Sequence, residues 1–212
     1  MNWVYKKRGI RMTQITTNKE CLEKDTWKQV SLKDIAIKRK KKNKDISYTT
    51  VFSNSALNGI VEQTNYFDKK IANKDNLSSY FIVEKDDFVY NPRISSYAPY
   101  GPIRRNKTNK TGVVSPLYKV FRLDSNKCNL DYFEQYFKSS CWHRYIYGVA
   151  NYGARSDRMN ITDSDFFNMK IRVPNLSEQE KIASILLTWD KAIELKEKLI
   201  EQKKELKKGL MQ

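Results

Sequence analysis

The sequence ends with the stretch that decides the fold, RVPNLSEQEKIASILLTWDKAIELKEKLIEQKKELKKGLMQ at residues 172–212. Pro174 fixes its own φ and has no backbone N–H, so an element that precedes it must stop there. Ser177 and Glu180 stand three residues apart, which is the spacing of a capping box, and no proline follows them. The stretch therefore predicts a single helix of about 35 residues, with a length of roughly 50 Å.

The apolar residues of this helix predict that it pairs with another helix. They recur at steps of three and four along one side, and part of the stripe fits the a and d positions of a heptad repeat. That frame contains Ala192, Leu195, Leu199 and Leu206, with Gln202 as a polar interruption. Packing on its own domain is the alternative, but a segment so rich in Lys and Glu has little core to cover. The residues expected in the interface are Ile182, Ile185, Leu186, Trp189, Ala192, Ile193, Leu195, Leu199, Leu206 and Leu210.

The same stretch carries a resemblance to a known family. Residues 173–183 read VPNLSEQEKIA, and residues 207–212 read KKGLMQ after a long intervening coil. This combination resembles the conserved spacer region of the specificity subunits of type I restriction-modification systems. The resemblance implies that the helix follows a target recognition domain and forms one arm of a helical spacer.

The charge of the chain points to a polyanionic partner. The 212 residues include 40 Lys and Arg against 24 Asp and Glu, which gives a formal charge of +16 and a pI of about 9.6. Nucleic acid is the default partner for such a surplus, and a ribosomal or membrane-surface protein is the alternative. No apolar run approaches the length of a membrane span, so no membrane partner is expected.

The N-terminus and the cysteines predict a cytoplasmic protein. The first residues lack the apolar region of a secretory signal, and Met12 is an alternative start. Cys21, Cys128 and Cys141 form no C-x-x-C motif and are expected to be reduced thiols.

Composition divides the chain into three parts. Residues 1–25 are polar and predict an irregular or disordered extension. Residues 26–173 alternate β-rich runs with a few helical patterns, which predicts a mixed α/β or α+β recognition domain. Residues 174–212 form the spacer helix. Within the domain we expect a strand and helical turn at 27–35, strands near 48–52, 60–64, 80–83, 88–90, 113–114, 117–121 and 169–173, and one helix over roughly 129–145.

The domain deepens the resemblance. Residues 27–35 (WKQVSLKDI), 88–94 (FVYNPRI), 112–121 (GVVSPLYKVF) and 158–161 (RMNI) are similar to segments of specificity subunits. The similarity covers about residues 27–212. A usual member of the family has two recognition domains and two spacer regions, whereas this chain has one of each, so the resemblance implies a half-length subunit.

Three basic segments are candidates for DNA contacts. Residues 38–44 contain six Lys or Arg in seven positions, and the loops at 93–110 and 148–158 combine Arg, Asn and Lys with Gly. Lys binds phosphates, while Arg and Asn can bind guanine and adenine bidentately. Solvated loops, with structural ion pairs at Arg93 and Arg158, are the alternative. The candidates are Lys40, Lys41, Lys42, Lys44, Arg93, Arg104, Arg105, Asn106, Lys107, Lys110, Asn151, Tyr152, Arg155 and Arg158.

The sequence does not predict a catalyst. There is no Walker loop or glycine-rich cofactor loop, and the motif at residues 90–93 (YNPR) differs from the N-P-P-[FY] of amino-methyltransferases. His143 is the only histidine, and His143 with Cys141 does not make a zinc site.

The resemblance implies a DNA sequence-recognition subunit. It implies a chain that binds one half-site of a bipartite target in double-stranded DNA, pairs with a second specificity chain or a copy of itself, and scaffolds methyltransferase and restriction subunits. The chain would bind no cofactor itself, because S-adenosylmethionine belongs to the methyltransferase and ATP with Mg to the restriction subunit. The alternatives are a truncated fragment that binds the methyltransferase or another specificity chain without reading DNA, and a basic RNA-binding protein.

Overall fold

The structure is a computed structural model that describes residues 27–63, 74–151 and 157–210. The predicted N-terminal extension at residues 1–25 lies outside the described residues. The strands are β1 (Lys28–Ser31), β2 (Ala36–Arg39), β3 (Phe52–Ser55), β4 (Gly59–Glu62), β5 (Phe81–Val83), β6 (Phe88–Tyr90), β7 (Ile103–Arg105), β8 (Gly112–Val114), β9 (Lys119–Leu123) and β10 (Lys170–Val173). The α-helices are α1 (Leu32–Ile35), α2 (Leu130–Lys138), α3 (His143–Val149), α4 (Asp163–Phe167) and α5 (Leu176–Leu210), and a 3₁₀ helix spans Lys74–Ser79.

A four-stranded antiparallel sheet of order β2-β9-β6-β7 forms the centre of the domain. Three two-stranded antiparallel sheets surround it, β1 with β10, β3 with β4 and β5 with β8. The β1–β10 pair aligns Val30 with Ile171 and so joins the two ends of the domain next to α5. The predicted fold class, a mixed α and β domain followed by one long helix, is confirmed.

The core beside this sheet is aromatic. Phe121, which is fully buried, stacks on Phe88 at 5.6 Å between ring centroids and meets the edges of Phe137 and Phe166 at 5.9 and 5.8 Å. Offset and edge-on pairs of this kind stabilise beyond the burial of their area. The aromatic core fixes α2 and α4 against the sheet, and these helices in turn position the loops on the surface.

The prediction of one helix over 129–145 is wrong, because the structure has two helices there. The first, α2, ends at Lys138, where the Ser139 N–H donates to the carbonyls of Gln135 and Tyr136. The Trp142 side chain then turns into the core, and its indole N–H donates to the Phe137 carbonyl at 3.1 Å. A straight helix would not bring the indole to that carbonyl, so the chain breaks at the Ser pair, a residue type that favours turns.

The predicted capping box at Ser177 and Glu180 is also wrong. Helix α5 begins at Leu176, and the capping side chain is that of Asn175, two residues before Ser177, which accepts the Glu178 N–H at 3.0 Å. Asn is as good an N-cap as Ser, and here it follows Pro174 directly. The neighbouring Glu178 carboxylate accepts from the Trp27 indole N–H at 3.0 Å, which connects the residue before β1 to the helix.

The first turns of α5 pack on their own domain through Gln179, which is 1 % exposed. Its Oε1 accepts from the Asn129 N–H at 2.8 Å, while its Nε2 donates to the carbonyls of Lys127 and Pro174 at 3.3 and 3.0 Å. One amide therefore connects the start of α2, the turn before it and the start of α5. Because the amide is buried and its bonds are made, its removal would leave backbone groups unsatisfied.

Three turns later the same face of α5 makes a second contact. The Asp190 carboxylate accepts from Gln135 at 2.7 Å and lies 3.4 Å from the Lys138 amine, both on α2. Ile182, which was predicted to face another chain, is partly buried against the domain's own core. From Lys191 to Leu210 every residue is exposed. Among the described residues, no helix is long and apolar enough to span a membrane.

Candidate nucleic-acid interface

The basic run at residues 38–44 is divided between structural and exposed cations. Lys38 pairs with Asp163, and burial with the nearby Lys40 and Lys119 lowers the pKa of Lys38 to about 8. Arg39 contacts Glu84 at 2.7 Å, and the same carboxylate accepts from Arg122 at 3.0 Å. Lys40, Lys41, Lys42 and Lys44 are exposed. The four exposed lysines at these positions are named the lysine loop.

Asn43 holds the lysine loop in one conformation. It is 2 % exposed, its amide donates to the Tyr48 carbonyl at 2.8 Å, and its amide oxygen accepts the Tyr48 N–H at 3.1 Å. The loop also pairs with strand β5, since the Asn43 N–H donates to the Tyr80 carbonyl and the Ile82 N–H to the Lys41 carbonyl. A buried Asn with an exposed Lys on each side presents a fixed array of positive charge to solvent.

Arg105 and Asn106 have a structural role that differs from the predicted DNA contacts. The Arg105 side chain is 9 % exposed and pairs with Asp131 and Glu134 on α2. Asn106 is fully buried, and its amide donates to the carbonyls of Glu84 and Lys110 at 3.1 Å each. A base edge cannot reach either group without unfolding the loop, because a buried group with satisfied bonds is costly to expose.

The other cations of the loop at residues 93–110 differ in burial and in their contacts within the domain. Arg104 donates to the Ala56 carbonyl at 2.8 Å, and burial lowers the pKa of its guanidinium. Lys107 lies 3.2 Å from Glu134 and Lys110 lies 2.6 Å from Glu62, yet their side chains are 52 % and 63 % exposed. The carboxylates of Glu134 and Glu62 are only 10 % and 22 % exposed, so each lysine is held at its carboxylate end while the rest of its side chain reaches solvent.

The structure brings Arg93 and Arg158 together from distant parts of the sequence. They are opposite each other in an antiparallel β-bridge. The Ile94 N–H donates to the Asp157 carbonyl and the Met159 N–H donates to the Pro92 carbonyl, both at 2.9 Å. Arg158 also lies 3.6 Å from the Asp157 carboxylate. Arg93 and Arg158 therefore form one cationic site, which we name the arginine pair.

The third predicted segment is described only in part. Asn151 is exposed and forms an antiparallel β-bridge with Asn160, which lies two residues after Arg158. Tyr152 and Arg155 lie outside the described residues and stay predictions.

A tyrosine that the sequence did not single out lies close to the arginine pair in the chain. Tyr97 is 72 % exposed at the tip of a turn between Ser95 and Ala98. Sequence alone places Tyr97 in a polar loop but cannot distinguish it from Tyr100, whose ring packs against His143 at 4.7 Å. Burial lowers the pKa of His143, which also contacts Trp142 and is a packed residue.

The described residues contain no group of three or more His, Cys, Asp or Glu placed to hold a metal ion. The site is therefore a surface of cations and aromatic rings with no metal cluster among these residues. Such a surface binds by charge and shape.

The two described cysteines should differ in reactivity. Cys128 is 2 % exposed and burial raises the pKa of its thiol to about 12, whereas Cys141 is exposed. Because the thiolate is the nucleophile, iodoacetamide at about pH 8 should alkylate Cys141 and spare Cys128 in the folded protein. Peptide mass mapping, with the urea-unfolded chain as the control in which both react, checks this. Equal labelling of the two in the folded protein would contradict the structure.

A family model described as a type I restriction modification DNA specificity domain matches residues 24–205. The chain belongs to this family. The specificity domain also shares its fold with solved structures at low sequence identity. The HsdS subunit from Thermoanaerobacter tengcongensis aligns with a TM-score of 0.58 and 14 % identity, over 82 % of this chain and 44 % of that chain.

A second chain comes from a structural study of complex assembly and conformational transition of the type I R-M system. It aligns with a TM-score of 0.59 and 14 % identity, over 85 % of this chain and 46 % of that chain. The specificity domain thus spans less than half the length of the solved chains that it matches. The comparison with curated proteins gave no match.

Proposed function

We propose that this specificity domain reads one half-site of a bipartite target in double-stranded DNA. The lysine loop carries the proposal, because a fixed set of exposed charges on a family member that recognises DNA fits the phosphate backbone. Lys107 and Lys110, whose side chains are more than half exposed, add further positive charge. The arginine pair and Asn151 are the side chains proposed to approach the bases, since Arg and Asn can bind guanine and adenine bidentately.

The exposed part of α5 supports a pairing role. Leu195 is 57 % exposed, Leu199 43 % and Leu206 64 %, and these residues hold the a and d positions of the heptad frame beyond the docked turns, while Trp189 and Ile193, 66 % and 54 % exposed, lie beside that frame. Helices with such stripes bury them against one another. We propose that α5 pairs with a second copy of the chain or with another specificity chain. Two identical copies related by a twofold axis would read an interrupted palindrome.

The partners and cofactors follow the same proposal. Methyltransferase subunits would dock on the paired helices and carry S-adenosylmethionine, and a restriction subunit would carry ATP and Mg. The chain itself would contribute recognition without catalysis or a bound cofactor, and the complex would act in the cytoplasm where the DNA is.

A methylome measurement tests the proposal. The chain is co-expressed with its cognate methyltransferase subunit in a methylation-free host, and modified adenines are mapped by long-read sequencing. An interrupted palindrome is the expected result. An interrupted asymmetric motif would show that another specificity chain supplies the second half, and the absence of any motif with the complex formed would refute DNA reading.

The salt dependence of DNA binding separates the alternative, a fragment that occupies the methyltransferase without reading DNA. Phosphate contacts release counterions, so the affinity of a DNA reader falls steeply with salt. A weak and salt-independent affinity for duplex DNA would favour the silent fragment. A DNA reader should bind an RNA duplex weakly, because the major groove of RNA is too narrow for these loops. Tighter binding to an RNA duplex than to DNA would therefore favour an RNA-binding protein.

A further inference from the structure

The turn that carries Tyr97 is a closed unit. The N–H groups of Ser95 and Ala98 each donate to the other residue's carbonyl at 3.1 Å, and the Ser95 hydroxyl oxygen accepts from the Ala98 N–H at 3.1 Å. Tyr97 is the most exposed aromatic side chain of the described residues, at 72 %. A large ring in this position is held away from the domain by the backbone that supports it.

The base of the turn is fixed to the core strand β6. The Gly101 N–H donates to the Ala98 carbonyl at 3.1 Å, and the Tyr90 hydroxyl donates to the Tyr100 carbonyl at 3.0 Å. Tyr90 is fully buried and stacks on Phe166 at 5.0 Å. The ring of Tyr97 therefore stands on a rigid support, which lowers the ordering cost of a contact made through it.

The same segment connects the turn to the arginine pair. Arg93 lies two residues before Ser95, in the bridge to Arg158. Because Arg93 and Arg158 are opposite each other in an antiparallel bridge, their side chains leave the same face of the bridge. A protruding ring four residues from Arg93 in the same segment is suited to a polyanion, because cations can hold the phosphate backbone while the ring contacts a base.

The chemistry of the ring selects one feature of DNA. The only apolar group on the major-groove edge of a base pair is the C5 methyl of thymine. A water-exposed ring gains most binding free energy by packing against another apolar group. Each methyl-sized group buried in this way increases the affinity by a few-fold. We propose that Tyr97 is a specificity-determining residue whose ring packs on the methyl of one thymine in the half-site. This rests on the proposed function, that the domain reads a half-site in double-stranded DNA, and adds to it that Tyr97 faces the major groove.

The test begins with the target sequence found for the wild type. Duplexes carrying that sequence are made with each thymine replaced in turn by deoxyuridine, which lacks only the methyl. At one position the wild type should lose roughly three- to tenfold in affinity. Tyr97→Ala should bind the thymine and the deoxyuridine duplex equally well at that position, and Tyr97→Phe should keep the wild-type discrimination because the ring is retained.

The outcomes separate this proposal from the function on which it rests. If Tyr97→Ala discriminates as the wild type does at every position, or if the half-site contains no thymine, the Tyr97 contact is refuted and DNA reading stands. If the wild type yields no target and binds DNA without salt dependence, DNA reading itself fails and the Tyr97 contact fails with it. Since the side chain is exposed, Tyr97→Ala should keep the thermal midpoint of the wild type, which confirms that a change in binding is not a change in folding.

Discussion

The variant with Lys40→Ala, Lys41→Ala, Lys42→Ala and Lys44→Ala together should bind duplex DNA roughly a thousandfold more weakly than the wild type at about 0.1 M salt. If each lysine neutralises one phosphate, the slope of log affinity against log salt should become less negative by about 3 to 4, since each phosphate contact contributes about 0.9. The methylated sequence itself should stay the same, because phosphate contacts position a protein without reading bases. Fluorescence anisotropy over a salt series measures both quantities.

The chain offers a matched control on α5. Lys203→Ala, Lys204→Ala, Lys207→Ala and Lys208→Ala remove the same number of charges from another exposed surface and leave the lysine loop intact. This control should change the salt slope much less. If the two variants lose affinity and slope equally, DNA binding reflects net charge alone, and the lysine loop has no special place in the interface. Asn43, which holds the loop, is unchanged in both.

Gly101→Ala should destabilise the domain by about 2–5 kcal/mol in the free energy of unfolding. Gly101 has φ +78°, and a Cβ there would lie 2.1 Å from the Asn91 carbonyl oxygen and 3.1 Å from the Tyr90 ring. The left-handed conformation alone costs an L-residue about 1–2 kcal/mol, and the clash with backbone adds the remainder because neither atom can move away cheaply. Chemical denaturation of the purified domain measures the loss.

Gly59→Ala isolates the effect of the clash. Gly59 has a similar positive φ, +69°, but nothing lies within 4 Å of a Cβ at that position. It should therefore lose only the conformational part, about 1–2 kcal/mol. Equal losses at the two glycines would contradict the close approach of Gly101 to strand β6 and would weaken the rigid support inferred for Tyr97.

The elements that the sequence predicted well are those whose residues act locally. The turn between β3 and β4 falls at Asn58 and Gly59, a pair typical of hairpin turns, although β3 lies at Phe52–Ser55 and not at the expected 48–52. The length of α5 follows from the absence of proline and the periodic apolar side chains. The first strand and turn at Trp27 to Ile35 are also found as expected. In each case the residues that decide the structure are neighbours in the chain.

The elements that the sequence missed depend on distant partners. Asn106 lies in a run of polar residues typical of a solvated loop, yet carbonyls of Glu84 and Lys110 bury its amide. The arginine pair joins residues from two loops, and no spacing within either loop predicts the bridge between them. Whether a cation in a basic loop faces solvent or a carboxylate is decided by tertiary packing, so charge alone could not separate Lys42 from Arg105.

The docking of α5 through Gln179 affects how accurately the far end of the helix is positioned relative to the domain. Beyond its last contact at Asp190 the helix continues for residues 191–210, about 30 Å at 1.5 Å per residue. A tilt of about 10° at the docked end would displace the far end by about 5 Å, which exceeds the roughly 3.4 Å rise of one base pair. If two such domains pair through α5 as proposed, the contacts of Gln179 and Asp190 that dock the helix would set how accurately the number of base pairs between the two half-sites is fixed.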